Sequence, residues 1–147
     1  MITIRGSVEI QRPAVSVFEF LSDLGNAPKW QRGVVESRRT SEGPIRVGTR
    51  FRETVRTMGV RFEAVCEVTV FDPPRRFSMT ADGRMIHYEG DFTFEPIAGG
   101  EATRLSVTAS MKMKGLWRVF EWIAGREIRK ESLAELEDIK KALEAGP

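Results

Sequence analysis

Apolar and polar positions change period along the chain, and the changes mark its elements. Ile4, Gly6, Val8 and Ile10 alternate with Arg5, Ser7, Glu9 and Gln11, the period of a half-buried strand. Pro13 suits the first position of a helix. Ala14, Val17, Phe18 and Leu21 then share one face, while Ser16 and Glu19 point away. A second short helical turn is expected at Ala27-Pro28-Lys29-Trp30. Strand spacing returns from Val34 to Thr40, Thr49 to Thr57, Val60 to Phe71, Arg76 to Ala81, Arg84 to Glu95 and Thr103 to Met113. From Gly115 to about Ala145 the period becomes helical again, with no Pro and many Leu, Ala, Glu, Lys and Arg. Ala124, Ile128, Leu136, Ile139 and Leu143 make its apolar stripe, with Arg129, Lys130, Glu137, Asp138 and Lys141 largely off it. A helix of roughly 28 residues is about 42 Å long, and its stripe needs a partner surface of similar length. Everything upstream able to supply one reads as strand, so the pattern predicts a curved sheet wrapped around one long helix.

Two hairpins fix the faces. If Met58-Gly59 is a two-residue turn, Phe51, Glu53 and Val55 lie opposite Cys66, Ala64 and Phe62 on one face. The other face sets Arg50 opposite Glu67 and Arg56 diagonal to Glu63, at the cost of Arg56 opposite Arg61. Pairing Phe94 with Leu105 brings Phe92 to Val107, Gly90 to Ala109, Tyr88 to Met111 and Ile86 to Met113. Glu95–Arg104 and His87–Lys112 then lie on the outer face. A one-residue slip would reverse every face, so this agreement supports both registers.

Bulk properties narrow the class. The chain has 147 residues, enough for one domain with a sizeable core, and is 41% hydrophobic and 30% charged. No apolar run is long enough to span a bilayer, and stable membrane insertion is not expected. Met1 to Gln11 alternates instead of forming a signal-peptide core. With Cys66 as the single cysteine, a cytoplasmic location is expected. The net charge of +2, from 23 basic and 21 acidic side chains, gives no reason to expect a nucleic-acid partner.

Pro13-Ala14-Val15-Ser16-Val17-Phe18-Glu19-Phe20-Leu21-Ser22-Asp23, then Asn26-Ala27-Pro28-Lys29-Trp30, is similar to the opening of the START-like, helix-grip superfamily. Within it the sequence resembles the polyketide cyclase/dehydrase and lipid-transport group, also called SRPBCC. Val47-Gly48-Thr49-Arg50, Asp72-Pro73-Pro74 and the terminal helix extend the likeness over nearly the whole chain. The resemblance implies an α+β helix-grip fold in a single domain spanning 1–147. A seven-stranded antiparallel sheet would grip the C-terminal helix, with two short helices after strand one and a ligand cavity between sheet and helix. The group includes aromatase/cyclases, carriers of lipids and hormones, and members of no known activity, so the likeness specifies the fold well and the activity poorly.

Catalytic motifs are absent: there is no phosphate-binding glycine loop, nucleotide fingerprint, CxxC or HExxH. His87 is the only histidine, so no metal or cofactor is expected. Cys66 reads as an inert buried thiol, since no His or second Cys is placed to activate it. Glu53 is the sharper candidate. Between inward Phe51 and Val55, its carboxylate must be hydrated in a cavity, paired, or held protonated. Tyr88 can fill core with its ring while its hydroxyl reaches a ligand. Gly90 opposite Ala109 is expected to leave space at mid-sheet, and Met79, Met111 and Met113 to line it. Phe51, Phe62 and Phe92 complete the inward set, with Trp30 at the cavity mouth and Trp117 and Phe120 contributed by the long helix. Each also has a plain packing account.

Leu116, Trp117, Val119, Phe120, Trp122 and Ile123 surround much of that helix's start. Cavity lining and a homodimer surface are favoured there over membrane contact, because Arg118 and Arg126 are a thin basic flank. Three functions stay open: binding a small hydrophobic molecule (a lipid, polyketide or aromatic compound), polyketide cyclase/dehydratase chemistry through Glu53 and Tyr88, or an interaction domain with a filled cavity.

Overall fold

The computed structural model describes residues 1–57 and 59–145. Their strands form one seven-stranded antiparallel sheet. The strands are β1 (Ile2–Ile10), β2 (Val34–Arg39), β3 (Arg50–Thr57), β4 (Val60–Asp72), β5 (Arg76–Gly83), β6 (Ile86–Ile97) and β7 (Ala102–Met113). Their spatial order is β1-β7-β6-β5-β4-β3-β2. Both hairpin registers come out as the alternation requires, with Glu53 opposite Ala64 and Gly90 opposite Ala109. Of the proposed Met58-Gly59 turn, Met58 lies outside the described residues, and Gly59 takes φ 74°, a left-handed conformation suited to glycine. Irregular pairing between Val34 and Glu36, and between Val68 and Val70, accompanies the bend of the sheet.

Two short helical elements follow β1. Helix α1 (Ala14–Ser22) buries Ala14, Val17, Phe18 and Leu21, the face its spacing predicts. Phe18 meets Phe71 and Phe94 edge-on at 5.4 and 5.1 Å, which plugs one end of the sheet. A 3-10 turn, Leu24–Lys29, comes next, its Gly25 amide donating to the Asp23 carboxylate.

The terminal helix, α2 (Arg118–Glu144), has 27 residues and is preceded by a 3-10 turn, Gly115–Trp117. Leu136 and Ile139 enter the main core, while Ile128 and Leu143 pack on it partly buried. The helix approaches β1 so closely that a Cβ on Gly6 would lie 2.5 Å from Leu133 Cδ2 and 3.0 Å from Leu136 Cδ1. It also covers the edge of β1. Arg129 Nε donates to the Thr3 carbonyl at 3.0 Å, Lys140 Nζ to the Glu9 carbonyl at 2.7 Å, and the Gln11 amide to Glu144 at 2.8 Å. Edge carbonyls so occupied are no template for another strand.

Several expectations need correction. Strand β1 begins at Ile2, because Ile2 and Ile4 are both buried against the core. The break expected at Asp82-Gly83 falls later, and β6 starts at Ile86 and runs to Ile97. Glu63 bonds Arg52 at 3.0 Å instead of Arg56, while Arg50–Glu67 and Glu95–Arg104 form as the pattern requires. The start of the terminal helical segment is tied to the sheet on one side, where Glu121 accepts from the Met113 amide at 3.4 Å and meets the N-terminal ammonium at 2.9 Å, and is uncovered on the other. Leu116, Val119, Phe120, Trp122 and Ile123 are exposed there, Leu116 by 91% and Trp122 by 90%. No helix among the described residues is long and apolar enough to cross a membrane.

Candidate functional site

A cavity of about 90 Å³ opens between the inner face of the sheet and α2. Strands β3 to β7 supply Glu53, Val55, Ala64, Ala81, Ile86, Tyr88, Met111 and Met113. The segment entering β2 supplies Gln31, Arg32 and Val34, and the helix supplies Ile128, Glu131, Ser132 and Glu135. Exposed Arg32 and Glu131 place its mouth between the helix and the start of β2. A recess of about 20 Å³, lined by Trp30, Phe92 and Ala109, shares Tyr88, Ser132 and Glu135 with it.

Glu53 is held inward by alternation on β3. It is only 2% exposed, between Phe51 and Val55. Burial pushes its carboxyl up to about 7, and the Cys66 thiol and Ser37 hydroxyl on the adjoining strands pull the other way. Their approach does not satisfy it: Glu53 Oε2 and Ser37 Oγ are both buried without a hydrogen-bond partner among the described residues. Across the cavity, burial pushes Glu135 up to about 8, even though its Oε2 accepts the Arg32 amide at 2.7 Å. The charges of Glu131 and Asp138 on the same helix add to that rise. Arg32 does not neutralise the site, because its Nε binds Asp138 Oδ2 at 2.9 Å, outside the cavity lining.

Burial, then the negative charges around the cavity, raise the Tyr88 phenol, so its hydroxyl keeps its proton and serves as a donor. Burial likewise raises the Cys66 thiol, and the Glu53 charge adds to this. Cys66 is therefore a thiol and not a thiolate nucleophile. Trp30 Nε1 is a third buried side-chain polar atom without a hydrogen-bond partner among the described residues. Among the described residues no group of three His, Cys, Asp or Glu side chains is placed to hold a metal ion.

Of the residues singled out from the sequence, the fold brings Glu53, Tyr88 and Met111 to the cavity and Trp30, Phe92 and Ala109 to the recess. Trp30 does not stand at the mouth: it is 7% exposed and packs edge-on against Phe92 at 6.3 Å. Phe51 and Met79 belong to the main core, and Phe62 to a smaller cluster with Met85, Ile86 and Met113. Space expected over Gly90 is taken up locally, since a Cβ there would lie 2.8 Å from the Tyr88 hydroxyl oxygen and 2.9 Å from its ring. Glycine lets the Tyr88 ring fold back over its own strand. Trp117 packs against the Phe62 cluster and Phe120 is exposed beside it, with ring centroids 5.5 Å apart, so neither lines the cavity.

Sequence reasoning missed Gln31, Arg32, Glu131, Ser132 and Glu135. One signal was present. The apolar stripe of α2 skips the seven residues between Ile128 and Leu136, and the inward positions in the gap are Ser132 and Glu135. A stripe that turns polar for two turns marks the part of a helix that faces a cavity instead of packed core.

Residues 1–144 match the family model described as polyketide cyclase / dehydrase and lipid transport. A search of curated proteins finds no significant match. Among solved structures, the chain is similar to TTHA0849 from Thermus thermophilus, with 24% identity and a TM-score of 0.74 over 97% of this chain and 94% of that one. It is also similar to the Zhui aromatase/cyclase from a Streptomyces species, with 18% identity and a TM-score of 0.76 over 97% and 93%. A START superfamily protein from Mycobacterium smegmatis matches with 19% identity and a TM-score of 0.74 over 99% and 96%. At these identities the solved structures establish the shared fold.

Proposed function

The chain belongs to the polyketide cyclase/dehydrase and lipid-transport family, and on that premise we propose that it binds a small, mostly apolar molecule by one polar end. The observation that carries this reading is Glu53, a fully enclosed carboxyl with a free oxygen, in a cavity whose sheet wall is otherwise mostly apolar: Val34, Val55, Ala64, Ala81, Ile86, Met111 and Met113, with Thr57 and Tyr88. Burying such a group unpaired costs several kcal/mol at the ionised extreme. A bound partner removes that cost. The cavity holds roughly three waters' worth of liquid volume, so it receives the polar end and the first few carbons, and the rest of a longer ligand leaves by the mouth beside Arg32 and Glu131.

Native mass spectrometry of the protein with a panel of fatty alcohols, sterols and aromatic polyketides tests this reading. Retention of at least one compound, weakened about tenfold or more by Glu53→Gln with the fold intact, is expected. A panel without any adduct counts against binding.

A catalytic reading has one specific support. A carboxyl pushed up to about 7 beside a protonated phenol is able to exchange a proton near neutral pH. It requires turnover of a polyketide-like substrate that Glu53→Gln abolishes without loss of binding. Binding unchanged and turnover undetectable for wild type leaves the carrier reading alone.

A further inference from the structure

The charged side chains that line the cavity are mostly acidic. Glu53 comes from β3, and Glu131 and Glu135 from α2. Strands β4, β5 and β7 contribute only Ala64, Ala81, Met111 and Met113, and β6 adds Ile86 and neutral Tyr88. Behind the lining, β2 offers the Ser37 hydroxyl and β4 the protonated Cys66 thiol. Arg32 is the single cationic side chain in the lining, and its guanidinium is already bound to Asp138 at 2.9 Å. Three carboxyl groups therefore face a space whose one cation among the described residues, Arg32, eases Glu135 but is engaged by Asp138.

We propose that the cavity selects ligands whose polar end is an ammonium group, a lipophilic amine, over carboxylate-headed molecules of the same length. The inference rests on the binding reading above and sharpens it. An ammonium placed between Glu53 and Glu135 supplies the missing counter-charge and gives Glu53 Oε2 the donor it lacks. A carboxylate in the same place meets carboxyls of its own charge, and what the cavity lining offers it is neutral donors, the Gln31 amide and the Thr57, Tyr88 and Ser132 hydroxyls. An alcohol stands between the two, since it donates one hydrogen bond and brings no charge.

The pH dependence follows from the same geometry. Glu53 and Glu135, pushed up to about 7 and about 8, carry protons at pH 5.5 and lose much of them by pH 8. An alkylammonium stays charged throughout this range, as lysine does. Amine affinity therefore rises with pH as its carboxylate partners ionise, and carboxylate affinity falls. Binding of the amine releases protons, because the cation favours the ionised carboxyls.

Octylamine, octanol and octanoate, titrated into the full chain and followed by NMR shifts of the cavity methyl groups, separate the outcomes. Octylamine is expected to bind at least tenfold more tightly than octanoate at pH 8. That ratio should shrink at pH 5.5, and again in a Glu53→Gln/Glu135→Gln variant whose fold is checked by the same spectra. Octanol binding with octylamine no tighter than octanoate overturns the charge selectivity and leaves the binding reading intact. Failure of all three to shift the methyl groups of Ile86, Met111 and Met113 overturns the binding reading and this inference together.

Discussion

Glu53 couples the site to the stability of the fold. Its ordinary carboxyl value of 4.5 applies to the unfolded chain, whereas burial pushes it up to about 7 in the folded one. Between these values the folded chain still holds a proton that the unfolded chain has lost. Stability therefore falls as pH rises through that window, by on the order of 3 kcal/mol for the full shift. Glu135 acts with the same sign up to about 8. Asp82 and Glu121, held low by Lys114 and by the N-terminal ammonium, lose their stabilising contacts only at more acidic pH, outside the window. Urea denaturation at pH 5 and pH 8 checks this. Glu53→Gln is expected to match wild type within about 0.5 kcal/mol at pH 5 and to exceed it by about 1–3 kcal/mol at pH 8. Identical pH profiles for the two proteins would place Glu53 in water or beside a cation. Its inward direction was legible from Phe51 and Val55. The absence of a partner was not, because alternation tells which face a side chain takes and nothing of what arrives from the helix opposite.

At the scale of elements, α2 does three things along its length. Its first two turns are exposed, its middle faces the cavity through Ile128, Ser132 and Glu135, and its later turns bury Leu136 and Ile139. Substitutions should report this gradient. Ile139→Ala, at a position with 0% exposure, is expected to cost about 2–5 kcal/mol. Ile128→Ala should cost less, since that side chain is only partly buried and borders open space. Trp122→Ser should fall within about 0.5 kcal/mol of wild type, because no core contact is lost. Chemical denaturation of the three variants measures the order. A loss above about 2 kcal/mol at Trp122 would mean that the first turns pack onto the domain. The stripe was read correctly as facing the sheet, but treating it as uniform concealed the seven-residue gap that marks the site. Trp117 and Phe120 were drawn toward the cavity by hydrophobicity alone, although the cavity lies about two to five turns farther along the helix.

Across the whole molecule, the architecture was legible because independent signals agreed. The Phe51–Cys66 and Phe94–Leu105 pairings each put apolar side chains on one face and ion pairs on the other. Gly6 likewise fits, as a small residue where the helix crosses β1. Cavity volume was not legible. It depends on whether large neighbours close over small residues, and Tyr88 closes over Gly90 while the space beside Glu53 stays open. The central claim is that the space between sheet and helix, and not the exposed start of α2, receives an apolar ligand. Methyl-resolved NMR with octanol, a neutral ligand indifferent to the charge question, tests it most directly. The account predicts saturable shifts at Ile86, Met111, Met113 and Ile128 with Val119 and Ile123 unmoved, and shifts confined to Val119 and Ile123 would contradict it.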